Sequence, residues 1–336
     1  MSDLKIAVIG VGKMGSFHVD SLTSRIRGAQ VTVVSDYSAE QAEKVAAPVG
    51  ARVVADPLEA VGASDVDAVV LASPGFAHEK QVLACLDRGI PVLCEKPLTM
   101  DGASSYEVVK AQAALGRELI QVGFMRRFDN EYVALRTLIE SGQVGAPLML
   151  HCTHRNPAVP DTFTSEMAMA DSVVHEADCT RFLLGEEVVA VSVIRGVPTS
   201  AAPAGVSDPM VVLFETESGR LVTVESFVRT QIAYEVRTEL VAEKGSAFIG
   251  LDQNLQVKQA GPTGTGIWGG TITPDFVARF GQAYDTQMQT FVDAAREGTV
   301  AGAGVWDGYA AAAICEAGVQ AVRTGERTAV KLEARP

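Results

Sequence analysis

Apolar residues in the first third of the chain fall into short, dense runs: residues 5–9, 31–35, 52–55, 67–72, 91–94 and 119–123. Runs of this length, rich in Val, Ile and Leu, read as strands buried on both faces. Between them lie longer stretches with helical spacing, at 16–22, from about Ser38, and at 57–62, 76–88 and 104–116. Strands alternating with helices predict βαβ units and a doubly wound parallel sheet, a Rossmann arrangement, with ligands bound beyond the carboxyl ends of its strands.

Past Gly123 the texture changes. A helix is expected at 130–140, then a strand that puts Leu148, Leu150, Cys152 and His154 on one face. Residues 171–184 carry a helical stripe, after which β-rich segments follow in succession at 188–195, 209–215, 220–228 and 234–242. Strands joined directly by turns imply a large open, mostly antiparallel or mixed sheet. The segment 195–208 is rich in Ala and Pro, the glycine-rich 261–270 reads as a mobile loop, and 275–297 and 306–323 read as two helices over the second sheet. The fold class is therefore α/β. Residues 1–123 are expected to form the nucleotide-binding domain, and 124–336 an α+β substrate-binding domain.

A length of 336 residues with 47% hydrophobic content can fill two cores. The net charge of −13, with no long basic run, argues against nucleic acid or an anionic membrane as partner. The N-terminal MSDLKIAVIG lacks the pattern of a secretory signal, and no apolar stretch approaches the roughly 20 residues that cross a bilayer. Five scattered cysteines without CxxC spacing read as reduced thiols of a cytoplasmic protein.

Candidate chemistry lies at the predicted strand ends. Gly10-Val11-Gly12-Lys13-Met14-Gly15 follows the first strand directly. Gly10 would permit the tight turn, Gly12 the approach of a pyrophosphate, and Gly15 close helix–strand packing. Asp36, at the end of the second strand, stands where a carboxylate would bond the adenosine ribose and repel a 2′-phosphate, favouring NAD over NADP. Asp is also a common N-cap, so Asp36 could instead start the helix near Ser38. Ser73, His78, Glu95 and Lys96 complete the expected cofactor contacts, with Lys13 and Met14 of the loop. Pro97 disfavours helical backbone at Lys96, which turns that side chain out at a strand end. An exposed structural lysine is the plainer alternative.

Asp171 and His175 are four residues apart, a spacing that on a helix can set a carboxylate against an imidazole. Each alone could be a cap or a core histidine; with Lys96 and a nucleotide fold they form an acid–base set. His151, Cys152 and His154 do not read as a metal site, because neighbouring strand residues point to opposite faces. No metal is expected.

The blocks AVIGVGKMG, CEKPL at 94–98 and the DxxxH pair resemble those of the Gfo/Idh/MocA oxidoreductases. VGFMRRFD, HCTHRNP, DSVVHEAD and WDGYAAA resemble the members that act on inositol, and together the blocks span nearly the whole chain. The resemblance implies that Lys96, Asp171 and His175 are catalytic, and that Arg126, His154 and Tyr234 line a polyol pocket. It further implies NAD as cofactor, oxidation of myo-inositol to 2-keto-myo-inositol, and a homotetramer formed through the open sheet face. Another inositol stereoisomer or a pyranose sugar is the alternative substrate, because segments 195–208 and 261–270 depart from the family pattern. An NAD-sensing binding protein is the alternative outside enzymes. In the enzymatic reading, His175 is the base and Asp171 fixes its tautomer.

Overall fold

The computed structural model describes residues 2–250, 257–261, 264–268 and 273–336. The first sheet contains β1 (Leu4–Ile9), β2 (Ala29–Ser35), β3 (Arg52–Val53), β4 (Ala68–Leu71), β5 (Val92–Cys94) and β6 (Ile120–Val122). All six are parallel, in the order β3-β2-β1-β4-β5-β6. Helices α1 (Lys13–Ser24), α2 (Ala39–Ala46), α3 (Pro57–Gly62), α4 (Gly75–Arg88) and α5 (Gly102–Leu115) make the crossovers. Ile6, Ala7, Val8 and Ala68 to Leu71 are fully buried, as unbroken apolar strands between two helical layers must be.

Register then sets the site. Ile9 pairs with Leu71, Leu71 with Cys94, and Cys94 with Val122. The residues that follow, Gly10, Ala72, Glu95 and Gly123, therefore leave the sheet along one edge. Their amides hold that edge: Ala72 N donates to Ile9 O at 2.8 Å, Glu95 N to Leu71 O at 2.8 Å, and Gly123 N to Cys94 O at 2.7 Å.

After a 3₁₀ turn (Met125–Phe128) and α6 (Asn130–Glu140), β7 (Pro147–Arg155) enters a second sheet. Its other strands are β8 (Val188–Arg195), β9 (Met210–Thr216), β10 (Leu221–Phe227), β11 (Glu235–Ala242), β12 (Gly245–Ile249) and the short β15 (Thr328–Ala329). The order is β12-β11-β7-β10-β9-β8-β15, antiparallel except for β7 with β10. One face packs on helices; the other is open. Leu150, Cys152 and His154 of β7 point into the core, whereas His151 lies on the open face bonded to Thr223. Part of the glycine-rich 261–270 segment lies outside the described residues. Within it, β14 (Gly264–Trp268) pairs antiparallel with β13 (Val257–Gly261), where a loop was expected.

The helix expected at 171–184 begins earlier and is irregular. A short α7 (Ser165–Met167) runs into a π turn (Ala168–Val173) and then α8 (Val174–Leu184), so Asp171 sits inside the π turn rather than at a helix cap. The two C-terminal helices also divide differently from expectation. α10 (Val305–Thr324) packs on α5, α8 and β8, but α9 (Phe276–Ala295) crosses to the first sheet. There Met288, Phe291 and Val292 share an apolar cluster with Ile6, Val8, Leu22 and Val31. Asp285 accepts from Arg25 at 2.7 Å and from Ser21 at 2.5 Å, fixing α9 against α1.

A buried polar knot joins the 3₁₀ turn, α8 and α10. Asp178, 1% exposed, pairs with Arg127 at 2.6 Å, and Arg127 also reaches Asp307 at 3.0 Å. Arg181, three residues on from Asp178, turns to Glu187 and Asp307. Removing one member of a buried pair strands the other charge. Asp178→Ala is therefore expected to lower unfolding free energy by about 3 kcal/mol in denaturant titrations. Glu140→Ala, which breaks the exposed Arg136–Glu140 pair, should change it by no more than about 0.5 kcal/mol.

Candidate active site

The glycine loop leaves the end of β1 and opens α1. Gly10 has φ +80°, and a Cβ there would collide with the Ser73 backbone. A Cβ on Gly15 would collide with Gly10 O. Gly12 is different: nothing lies within 4 Å of where its Cβ would be. It is the N-cap of α1 and offers no side chain to the first-turn amides, which are left facing open space. Amides and dipole together suit an anion at that spot. The residues thus fit a dinucleotide's pyrophosphate.

Asp36 accepts from Val11 N at 2.7 Å and from Ser38 N at 2.9 Å. The cap of α2 is the Ser38 hydroxyl, not Asp36. A carboxylate offers about four acceptor positions, so two remain for ribose hydroxyls. Lys13 donates to Asp275 at 2.9 Å and lies 4.6 Å from the centre of the Phe276 ring, joining the loop to the start of α9. Met14 is half-buried against the core.

Three of the expected cofactor contacts are structural in their observed bonding. The Ser73 hydroxyl donates to Gln81 at 2.6 Å. His78 is buried, with Nδ1 2.8 Å from Pro97 O and Nε2 2.8 Å from Ser73 O, so it ties the end of β4 to the Lys96-Pro97 turn and has no ring nitrogen left for a ligand. Burial pushes its pKa down. Glu95 is also buried, and its Oε1 lies 2.8 Å from His18 Nε2 on α1. His18 was not legible as a site residue; its only signal was a polar side chain on the apolar stripe of α1.

Lys96 of the first sheet's edge and Asp171 of the π turn meet directly. Lys96 Nζ donates to Asp171 Oδ1 at 2.8 Å and to Asp171 O at 2.9 Å. The ammonium pulls the Asp171 carboxyl below its ordinary pKa, against burial. Sequence spacing had placed this carboxylate on His175, but none of the described hydrogen bonds joins them. The reason is charge: a full ammonium offers a charge-assisted bond, stronger than anything a neutral imidazole can donate. His175 is neutral because burial, and then the Lys96 and Arg126 cations, hold its pKa well below 6.5. A neutral imidazole beside an ammonium can take a proton from a group whose oxygen the ammonium holds.

Behind His175 lies a second layer. The rings of His154 and His175 are 6.2 Å apart, and the Tyr234 ring is 6.0 Å from His154. Arg126, expected in the pocket wall, is only 1% exposed and sits beneath it, paired with Glu176 and lying 3.2 Å from His154 Nδ1. Glu176 lies 3.0 Å from that same nitrogen. Burial opposes its ionisation, yet Arg126 and His154 bring its pKa down to about 2. Glu176 escaped the sequence reading because a glutamate inside DSVVHEAD reads as the solvent side of a helix.

Known proteins resemble this chain over nearly its whole length. A family model described as an oxidoreductase family with an NAD-binding Rossmann fold matches residues 4–124, and one described as a GFO/IDH/MocA C-terminal domain matches 132–248. Among relatives, an inositol 2-dehydrogenase of Rhodococcus erythropolis is 59% identical, with 99% of this chain and 97% of that protein covered. One of Rhodococcus jostii is 58% identical over 98% and 93%. The crystal structure of a myo-inositol dehydrogenase from Lactobacillus casei, with NAD(H) and myo-inositol, superposes with a TM-score of 0.92 at 31% identity, covering 99% and 98% of the two chains. A scyllo-inositol dehydrogenase of the same organism has a TM-score of 0.87 at 23% identity, a likeness of fold alone.

The glycine geometry separates two substitutions that look alike. Gly12→Ala should leave the thermal midpoint within a few degrees of wild type while weakening NAD binding, because its methyl fills only the open space over the amides. Gly15→Ala should lower the midpoint itself, since the methyl meets backbone; calorimetry and NAD titration of both variants check this.

Proposed function

The chain belongs to the Gfo/Idh/MocA oxidoreductase family, and we propose that it is an NAD-dependent dehydrogenase that oxidises myo-inositol at one ring hydroxyl to 2-keto-myo-inositol. The observation that carries this reading is the Lys96 ammonium held by Asp171 at the sheet edge where the glycine loop opens, with a buried, neutral His175 close enough to feel its charge. The names of the relatives above support inositol as substrate. Another stereoisomer or a pyranose sugar presents similar vicinal hydroxyls and is the second substrate reading.

NAD, when bound, supplies the hydride acceptor. Lys96 holds the reacting oxygen by a hydrogen bond and stabilises negative charge as its proton leaves. His175 takes that proton. Asp171 fixes the ammonium through two contacts and so orients Lys96 rather than His175. His154 and Tyr234 bind further hydroxyls, with Arg126 supporting them from below. Asp36 selects NAD by accepting from the ribose. An acid–base step of this kind contributes roughly a hundredfold to ten-thousandfold in rate.

The protein is proposed to act as a cytoplasmic homotetramer. Five free, buried cysteines support a reducing compartment. The open face of the second sheet supports self-association, since Ile194, Val211 and Phe248 stand on it at 65%, 40% and 55% exposure.

The decisive assay follows NADH absorbance with NAD and a panel of inositols and aldoses. Turnover is expected with myo-inositol; tight NAD binding with no turnover on any member would favour a sensor. Lys96→Ala and His175→Ala should each lower kcat about a hundredfold or more with NADH affinity near wild type, and wild-type turnover in either variant would remove its role. In the pH profile of kcat/KM, activity should persist as pH falls through 6.5 and drop only below it. The sign follows from a base that is lost on protonation and whose pKa is depressed.

A further inference from the structure

His154 Nδ1 faces two groups that make opposite demands. Arg126 lies 3.2 Å away and can only donate; the Glu176 oxygens lie 3.0 and 3.1 Å away and, ionised, can only accept. One ring nitrogen cannot satisfy both. A lone pair on Nδ1 would face two carboxylate oxygens, an arrangement tolerable only if Glu176 were protonated. Arg126 also donates directly to Glu176, both side chains are 1% exposed, and a carboxyl paired with a buried guanidinium stays ionised. Nδ1 therefore carries hydrogen and donates to Glu176. The far nitrogen, Nε2, has no partner among the described residues, and its ring stands beside those of His175 and Tyr234.

We infer that Glu176 is a positioning residue that fixes His154 in the Nδ1–H form, so that Nε2 meets the substrate as a hydrogen-bond acceptor for a hydroxyl other than the reacting one. This rests on the polyol reading above. It divides the cleft by polarity of hydrogen bonding: Lys96 can only donate, and His154 requires a group that donates to it. A substrate with a ketone, ether or halogen at that ring position would leave the imidazole lone pair facing an acceptor. The site thus reads not only where a hydroxyl stands but that it carries a hydrogen.

Fluorine in place of hydroxyl keeps size and weak acceptor character but donates nothing. Wild-type enzyme with NAD is therefore assayed on monodeoxy and monodeoxyfluoro inositols substituted at each position other than the one oxidised. At one position both analogues should lose kcat/KM by the same factor, roughly tenfold to hundredfold, and in His154→Ala neither should lose further. Glu176→Gln can turn an amide N–H toward Nδ1 and reverse the ring, so there the fluoro analogue should overtake the deoxy one. A merely structural Glu176 would lower stability without reversing that order. If Glu176→Gln does not fold, nitrogen-15 spectra of histidine-labelled wild type, with His154→Ala identifying the signals, report the tautomer directly. A fluoro analogue that keeps more activity than its deoxy counterpart in wild type, a penalty independent of His154, or an Nε2–H tautomer would each overturn the inference. Failure of wild type to oxidise any inositol would instead remove the functional reading beneath it.

Discussion

The cleft depends on one contact, the ammonium of Lys96 against the carboxylate and carbonyl of Asp171. Lys96 comes from the end of a parallel strand in the first sheet, Asp171 from a π turn in the second half. Each end is held from behind. Glu95 and His18 fasten the strand end to α1, and His78 fastens Pro97 to Ser73. On the other side Met169 O accepts from Cys315 of α10 at 3.2 Å, and Gly318 is bare where the Met169 side chain lies against α10. π turns are rare and concentrate at functional sites. Here the turn presents both a side-chain and a main-chain oxygen to a single cation.

Charges are arranged in depth. Lys96 and Asp171 border the opening; Arg126, Glu176 and His154 lie beneath it; Arg127, Asp178, Arg181, Glu187 and Asp307 form a separate knot that reaches back toward the surface at Glu187 and Asp307. Burying this many ions is tolerable only because each finds a partner. Arg126 and Arg127 are adjacent in sequence yet serve different layers, one under the candidate site and one in the scaffold. Between the cations His175 is kept without charge, which is the state a proton acceptor needs.

Much of this was legible in the sequence. Dense apolar runs such as 5–9 and 67–72 have one good solution, a strand buried on both faces, and the glycine loop follows the first of them directly. Less visible were choices made by competition in space. Asp171 had two possible partners, and helical spacing named His175, whereas the stronger electrostatic partner comes from a distant strand end. His78 is expected at the cofactor and Arg126, by resemblance, in the pocket wall, but main-chain carbonyls engage the first and Glu176 the second. The stripe on α9 showed that a face is buried, not which sheet buries it. β15 is too short to carry a periodic signal, and β12, mostly exposed, has no long apolar run to show one.

The placement of α9 has a consequence for how the chain is assembled. During synthesis domains tend to fold in order from the N-terminus. One face of the first sheet, with Ile6, Val8 and Val31, packs against Leu22 of α1 and is closed by Met288, Phe291 and Val292 from near the other end. That face is covered only in part by α1 and α2 of the same half, and its sealing waits for nearly the whole remaining chain. Contacts so far apart in sequence close slowly. The half that emerges first is the half whose core is completed last.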